Sequence, residues 1–157
     1  MFDSRLSPAR DAATLALAGQ NLQTLMRYEP SPRLRPHLLA GLGLFASMQG
    51  NASRALDFLR QAERLKPPPS LLQRIWLEQA AVRDGLGQHA LAARLYGRIA
   101  AQSGLPPVLR ANALLAQAQA QKSGGAIADL PAQLEQFSSQ PDLPPAWRDW
   151  LRAQAGE

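Results

Sequence analysis

Cysteine is absent from this 157-residue sequence, which excludes disulfide bonds, thiol catalysis and thiolate metal sites. The absence is compatible with both cytoplasm and periplasm, so the compartment stays open. Aromatic residues make up only 6%, and alanine and leucine supply most of the 46% apolar fraction. This composition favours closely packed helices over a β-sandwich, which needs more valine, isoleucine, threonine and tyrosine.

Long apolar runs are also absent. The longest, residues 38–46, has nine residues, whereas a membrane-spanning helix needs about 20. The first residues have no apolar core of the signal-peptide type. A membrane anchor, if the natural protein has one, is therefore expected outside this chain.

Acidic residues are fewer than basic ones. The formal net charge is +5, and all but two of the 17 basic residues are arginine. Such an excess is compatible with an acidic partner, nucleic acid or an anionic membrane surface. The arginines are scattered, and only Arg27, Arg33 and Arg35 approach a cluster. Scattering favours a genome rich in arginine codons over nucleic-acid binding, and arginine-dependent binding of nucleic acid or an anionic membrane is the alternative function.

Prolines and glycines divide the sequence into short segments with helical periodicity. We predict about eight antiparallel helices, joined by short turns, and no strand. Residues 50–67 give the clearest segment, because Asn51 suits a helix N-cap, apolar residues recur three and four apart, and Pro67 ends the pattern. Gly41 and Gly43 interrupt the most apolar helix and are expected where another helix approaches closely.

A spacing of 37 residues recurs along the chain. It separates Ala18, Ala55 and Ala92, and likewise the turn glycines Gly50, Gly87 and Gly124. Helical repeats of this size cannot bury their apolar faces alone, so neighbouring repeats are expected to stack into one continuous core.

The repeat resembles the tetratricopeptide repeat family. The residues that carry the resemblance in the first full repeat are Leu42, Gly43, Gly50, Ala55, Ala62 and Pro67, and in the second Trp76, Ala80, Gly87, Ala92 and Tyr96. A third repeat fits only after a slip of one residue, and Pro131 departs from the family pattern.

The resemblance implies an all-α fold in which helical hairpins stack as a short right-handed α-solenoid. We expect one domain over residues 1–157. Its parts are an N-terminal helix (1–30), repeat 1 (36–67), repeat 2 (73–104), a degenerate repeat 3 (107–139) and a capping helix (144–155).

The resemblance also implies a groove, lined by the first helix of each repeat, for a peptide or helix of a partner protein. Its candidate residues are His37, Ala40, Leu44 and Met48, then Arg74, Leu77, Ala81 and Asp84, then Asn112, Leu115 and Gln119. Alternatively, Leu44, Met48 and Leu77 belong to the core or lie under the first helix. The lysine and asparagine pair with which some family members grip a carboxylate terminus is missing from these positions.

Trp147 and Trp150 lie three residues apart on one predicted helical face. They are a candidate hot spot for a partner or a second copy of the chain, or else part of a cap packed on the preceding helix. No catalytic constellation is present, because His37 and His89 lie in different helices and Asp84 lacks the further ligands of a calcium loop. We therefore expect no enzyme activity, no cofactor and no metal.

The sequence thus predicts a non-catalytic scaffold or adaptor that binds a partner protein. The arginine-rich composition and the missing clamp indicate a bacterial protein. In bacteria the resemblance implies a soluble module of a cell-envelope, secretion or polysaccharide-export assembly.

Overall fold

The computed structural model of the chain describes residues 8–28, 30–125, 132, 135, 138–139 and 144–155. Seven helices and no strand are found in these residues, so the predicted all-α class is confirmed there. The helices are α1 (Pro8–Arg27), α2 (Arg35–Met48), α3 (Ala52–Arg64), α4 (Pro69–Gly85), α5 (His89–Ala100), α6 (Pro107–Ser123) and α7 (Pro145–Ala155). The further predicted helix around Pro131 falls mostly outside the described residues.

The turn after α2 and the turn after α4 have the same geometry, 37 residues apart. Gly50 and Gly87 adopt φ angles of +77° and +76°, which a residue without a Cβ reaches at no steric cost. In each turn the amide after the glycine donates to the carbonyl five residues earlier, as in a Schellman motif (Asn51 to Ala46, Gln88 to Arg83). The third turn has its left-handed glycine at Gly125 instead of Gly124, which matches the predicted slip of one residue.

The described residues form two units, which divide within α4 after Ile75. In the first unit α2 and α3 pack as a hairpin with Gly43 at their closest approach. A Cβ added to Gly43 would lie 2.7 Å from Cγ of Leu59 and 3.2 Å from the carbonyl oxygen of Ala55. The prediction that Gly43 marks a close helix approach is therefore confirmed. The core beside this contact consists of Leu39, Leu59, Ala62, Leu71 and Ile75.

α1 packs on α2 through a second glycine contact. The ring of Phe45 occupies the space that a Cβ at Gly19 would need. A Cβ added to Gly41 would be in ordinary van der Waals contact with Leu22. Met26 then reaches the core of the first unit. One side of α1 is thus held by a contact that depends on the small size of Gly19.

The equivalence of Ala18 with Ala55 and Ala92 does not extend to burial. Ala55 and Ala92 are fully buried, whereas Ala18 and Leu25 on α1 are exposed. The reason is the surroundings of α1, since α3 and α5 each follow a partner helix in a hairpin and no helix precedes α1 in the described residues.

The second unit has a core of small side chains. Ala80 of α4, Ala92 and Ala93 of α5 and Ala120 of α6 are buried together, with Tyr96 packed against them. A neighbouring cluster of Ile99, Leu105 and Ala113 is covered by Trp76 and Tyr96. The guanidinium of Arg98 lies over the Trp76 ring, 5.8 Å from its centroid. No helix in the described residues combines the length and apolarity needed to cross a membrane.

Two glycines of α2 provide a matched pair of substitutions. Gly43→Ala is expected to lower the free energy of unfolding by about 1–3 kcal/mol, because the new methyl group overlaps Cγ of Leu59 and the backbone of α3 limits relief. Gly41→Ala places its methyl 3.4 Å from Leu22, so it should be neutral, or stabilising by up to about 1 kcal/mol through helix propensity. Urea denaturation followed by far-UV circular dichroism measures both, and equal effects would contradict the close approach at Gly43.

The alanine core of the second unit provides a second matched pair of substitutions. Ala92→Leu is expected to lower the free energy of unfolding by about 1–3 kcal/mol, since the buried position has no room for three more carbon atoms. Ala90→Leu is the control, because Ala90 is exposed on the same helix and a surface substitution should change stability by less than about 0.5 kcal/mol. Thermal and urea denaturation of both variants test this prediction. An Ala92→Leu variant with the same free energy of unfolding as the parent chain would show that α5 is packed differently.

Candidate functional site

Side chains of α6 and α7 that were predicted separately meet at one cavity in the second unit. Asn112 and Leu115 of α6 and Ala146 and Trp150 of α7 line an open cavity of about 510 Å³. Asn112 and Leu115 were predicted from the register of the third repeat, and Trp150 as a possible hot spot. The structure therefore brings part of the predicted groove together with one of the two predicted tryptophans.

Prolines and buried alanines position the residues of this cavity. α6 begins at Pro107 and α7 at Pro145, both suited to the first turn of a helix. Four alanines of α6 are buried (Ala111, Ala113, Ala118 and Ala120). They hold the rest of α6 so that Asn112 remains exposed and Leu115 half-buried.

Through its described lining residues the cavity offers a ligand mainly apolar surface and one amide. The indole of Trp150 is 43% exposed and, with Leu115 and Ala146, provides area against which an apolar side chain can pack. The amide of Asn112 both donates and accepts hydrogen bonds, so it can orient a peptide group. An aromatic residue with a few polar groups around it is typical of a protein-interaction hot spot.

The other predicted residues of the second unit fall into two groups. Leu77 and Ala81 of α4 and Gln119 of α6 are exposed. Asp84 instead makes a hydrogen bond across the α4–α5 turn, with its Oδ1 2.5 Å from Nδ1 of His89. The sequence analysis did not predict this pair, for which the available signal was the short separation of an acid and a histidine across a turn.

His89 also contacts the end of α6. A Cβ added to Gly124 would lie 3.2 Å from Cβ of His89, so the first turn of α5 packs on the last turn of α6. Beside it, the side chain of Gln88 accepts a hydrogen bond of 2.8 Å from the Arg83 guanidinium. The turn between α4 and α5 is thus tied down by two polar side-chain contacts.

Burial raises the pKa of the Tyr96 hydroxyl above its ordinary value of 10.0, and the carboxylates of Asp84 and Glu78 raise it further. Burial penalises the tyrosinate because charge is poorly solvated there, and a neighbouring negative charge acts in the same direction. The phenol is therefore held neutral, which suits its position between the two core clusters of the second unit.

The predicted residues of the first unit lie mostly at its surface. Leu44 and Met48 on α2 are 37% and 61% exposed. The alternative that they belong to the core is therefore wrong for these residues. His37 and Arg74 are exposed, and Nδ1 of His37 lies 3.1 Å from the carbonyl oxygen of Arg33. Ala40 is half-buried and packs against the core.

Trp147 lies within α7, but its side chain is outside the described residues. No three His, Asp or Glu side chains in the described part of the chain are grouped so that they could hold a metal ion. The chain matches no protein-family model, no curated protein sequence and no solved structure. The candidate site is thus defined by its own side chains, an apolar cavity beside one amide.

The two tyrosines allow the raised pKa to be measured directly. In a Tyr28→Phe variant all tyrosinate absorbance comes from Tyr96, and its titration midpoint is expected above pH 10.0. Because the folded-state pKa is the higher one, the stability that Tyr96 contributes is complete below about pH 10 and is lost as the pH rises through the folded-state pKa.

Tyr96→Phe should therefore flatten the alkaline loss of unfolding free energy, which urea denaturation at a series of pH values measures. Tyr28→Phe is the control and should leave that slope unchanged, since Tyr28 is exposed. A Tyr96 midpoint at or below pH 10.0 would contradict both the burial of the phenol and its placement near Asp84 and Glu78.

Proposed function

We propose that the chain is a non-catalytic interaction module of tetratricopeptide-like helical hairpins, which binds an apolar or amphipathic segment of a partner protein. Support comes from the matching turns at Gly50 and Gly87 and from the full burial of Ala55 and Ala92. The proposal includes right-handed stacking of about eight helices, with the predicted helix around Pro131 among them.

The observation that carries the proposal is the cavity at Asn112, Leu115, Ala146 and Trp150. A half-exposed tryptophan beside a leucine provides a large apolar contact area at low cost in side-chain entropy. An apolar side chain of a partner helix or peptide fits such a cavity, with the Asn112 amide bonding to the partner backbone. A partner of this kind is retained mainly by burial of apolar surface.

The exposed face of α2 is a second contact surface in the first unit. Leu44 and Met48 are one helical turn apart and both reach solvent. Their spacing matches the spacing of apolar anchors along an amphipathic partner helix. Arg74, exposed on α4 in the same unit, adds positive charge for an acidic flank of the partner.

A structural role for Asp84 and His89 supports the non-catalytic part of the proposal. Each has its partner in the other, and the β-carbon of His89 lies against the end of α6. A general base must also reach a nucleophile or a substrate proton. This pair lies at a turn and holds two helices together. The cavity lined by Trp150 has no acid or base among those of its lining residues that the structure describes.

In cellular terms we propose a bacterial protein whose partner belongs to a cell-envelope, secretion or polysaccharide-export assembly. The arginine-rich composition and the repeat resemblance support this placement. A partner segment with apolar anchors three or four residues apart and acidic residues at its ends would complement a surface of net charge +5.

Selection of peptides from a random phage library on the immobilised chain tests the proposal. We expect the enriched peptides to share apolar anchors at helical spacing. Trp150→Ala should weaken their binding by at least about thirtyfold, because it removes the aromatic anchor surface of the cavity. Fluorescence anisotropy with synthetic copies of the selected peptides gives the dissociation constants.

Leu86→Ala serves as the matched control, since Leu86 is an exposed leucine of the same unit that does not line the cavity. Its peptide affinity should stay within about twofold of the parent chain. A photo-cross-linking residue at Leu115 should join the bound peptide, and one at Leu86 should not. Peptides that bind Trp150→Ala as tightly as the parent chain would overturn the assignment of the cavity as the docking site.

A further inference from the structure

A second cavity, in the first unit, differs in chemistry from the apolar cavity at Trp150. It has a volume of about 280 Å³ and lies among α1, α2 and α3. Its polar lining, in the described residues, consists of three carboxamides and one guanidinium, all exposed, from Gln20, Gln23, Gln49 and Arg54. Its inner lining is apolar and includes buried Leu42. No carboxylate is among the lining residues that the structure describes.

Each of the three helices brings its polar group to the cavity through local structure. Gln20 and Gln23, three residues apart, share one side of α1, which the contact between Gly19 and Phe45 holds against α2. Gln49 is the C-terminal capping residue of α2. Arg54 lies in the first turn of α3, where its backbone N–H donates to the Asn51 side chain at 3.2 Å.

The guanidinium of Arg54 is oriented by an aromatic ring and is not paired with a carboxylate of the described residues. It lies over the ring of Phe58, 5.5 Å from the centroid. The neighbouring carboxylate on α3, that of Asp57, has its Oδ1 3.7 Å from the guanidinium of Arg60. Within the described residues Arg54 forms no ion pair. Contact with an aromatic face leaves the in-plane N–H donors of a guanidinium available for a planar acceptor.

We propose that this cavity binds a carboxylate of a partner peptide, either the terminal carboxylate of a chain or the side chain of an aspartate or glutamate. The Arg54 guanidinium would donate two parallel hydrogen bonds to the carboxylate oxygens, the geometry that a guanidinium fork matches best. The glutamine NH₂ groups supply further donors, and the apolar inner lining receives the carbon atoms next to the carboxylate. The volume suits one side chain or a chain end, since a helix is about 10 Å across.

The carboxylate site is separate from the docking surfaces of the proposed function. On α2 its lining residues are Leu42, Phe45, Ala46 and Gln49, and neither Leu44 nor Met48 is among them. The predicted groove positions, where the carboxylate clamp of some tetratricopeptide proteins would lie, are also not among its lining residues. If the carboxylate proposal fails, the proposed docking site at Trp150 is unaffected. If the docking site at Trp150 fails, the carboxylate proposal is unaffected.

Titrations followed by NMR of the ¹⁵N-labelled chain test the proposal with defined probes. The probes are N-acetyl-leucine for a chain terminus and N-acetyl-glutamate α-amide for a side chain, with the uncharged N-acetyl-leucinamide and N-acetyl-glutamine amide as matched controls. Inorganic phosphate is the third anion. We expect saturable shifts of the Arg54 Nε–H signal and of the Gln20, Gln23 and Gln49 side-chain NH₂ signals with the carboxylates alone.

Arg54→Gln should weaken binding of the carboxylate probes by about tenfold or more, because it removes a charge-assisted hydrogen-bond pair. Arg54→Lys keeps the positive charge but loses the paired N–H donors of the guanidinium. Its affinity for the carboxylate probes should lie between that of Arg54→Gln and that of the parent chain. Arg60→Gln changes a residue of the same helix that lies outside the cavity, and its affinity for the probes should stay within about twofold of the parent chain. Backbone amide spectra that match the parent outside the cavity establish that each variant is folded.

The tighter of the two carboxylate probes identifies the source, a chain terminus or an acidic side chain. Equal shifts with the uncharged amides, unchanged affinity in Arg54→Gln, or no saturable shift with either carboxylate would overturn the proposal. Tighter binding of inorganic phosphate than of both carboxylates would overturn the assignment of the ligand class.

Discussion

The close approach of α2 and α3 at Gly43 is the contact on which the first unit depends. Cγ of Leu59 occupies a position 2.7 Å from where a Cβ of Gly43 would stand, so the two helices can be this near only because that Cβ is missing. The helix separation set there determines whether Leu39 and Ala62 meet in the core. Dispersion energy falls steeply with distance, and a small widening would weaken every contact around this point.

The second unit reaches close packing by a different route. In the first unit the close helix contact is between a glycine and a leucine. In the second unit it is formed by alanines from three helices (Ala80, Ala92, Ala93 and Ala120), and Tyr96 packs against them. Small side chains bury little area each, so the larger Trp76, Tyr96 and Ile99 must supply much of the apolar surface removed from water. Because Tyr96 packs against these small side chains, its phenol is partly buried, and this burial raises its pKa.

The parts of the fold that local chemistry determines could be predicted from the sequence. Left-handed turns at Gly50 and Gly87, the Asn51 cap and the burial of Ala55 and Ala92 follow from residue type and spacing, and all are found. Ala18 shares the same spacing but is exposed, because burial needs a neighbouring helix and sequence spacing does not show whether one is present. The pairing of Asp84 with His89 likewise depends on how a turn closes.

The candidate site shows the same limit from the functional side. Repeat register singled out Asn112 and Leu115, and the spacing of two tryptophans on one predicted helical face singled out Trp150. Only the packing of α7 beside α6 brings them to one cavity. Pro131, in the sequence between these helices, departs from the repeat pattern, so the repeat register does not predict where α7 packs.

Close-packed small residues also account for the position of the large apolar groups. Helices that meet through glycine and alanine leave little room between them for long side chains, so Leu44, Met48 and Trp150 are partly exposed to water. Exposed apolar side chains favour association, and a net charge of +5 opposes indiscriminate contact between copies by electrostatic repulsion. Selectivity for a partner then requires a polar contact that unspecific apolar surfaces lack. In the proposed carboxylate site that contact would come from Arg54, which lies over Phe58 and forms no ion pair within the described residues.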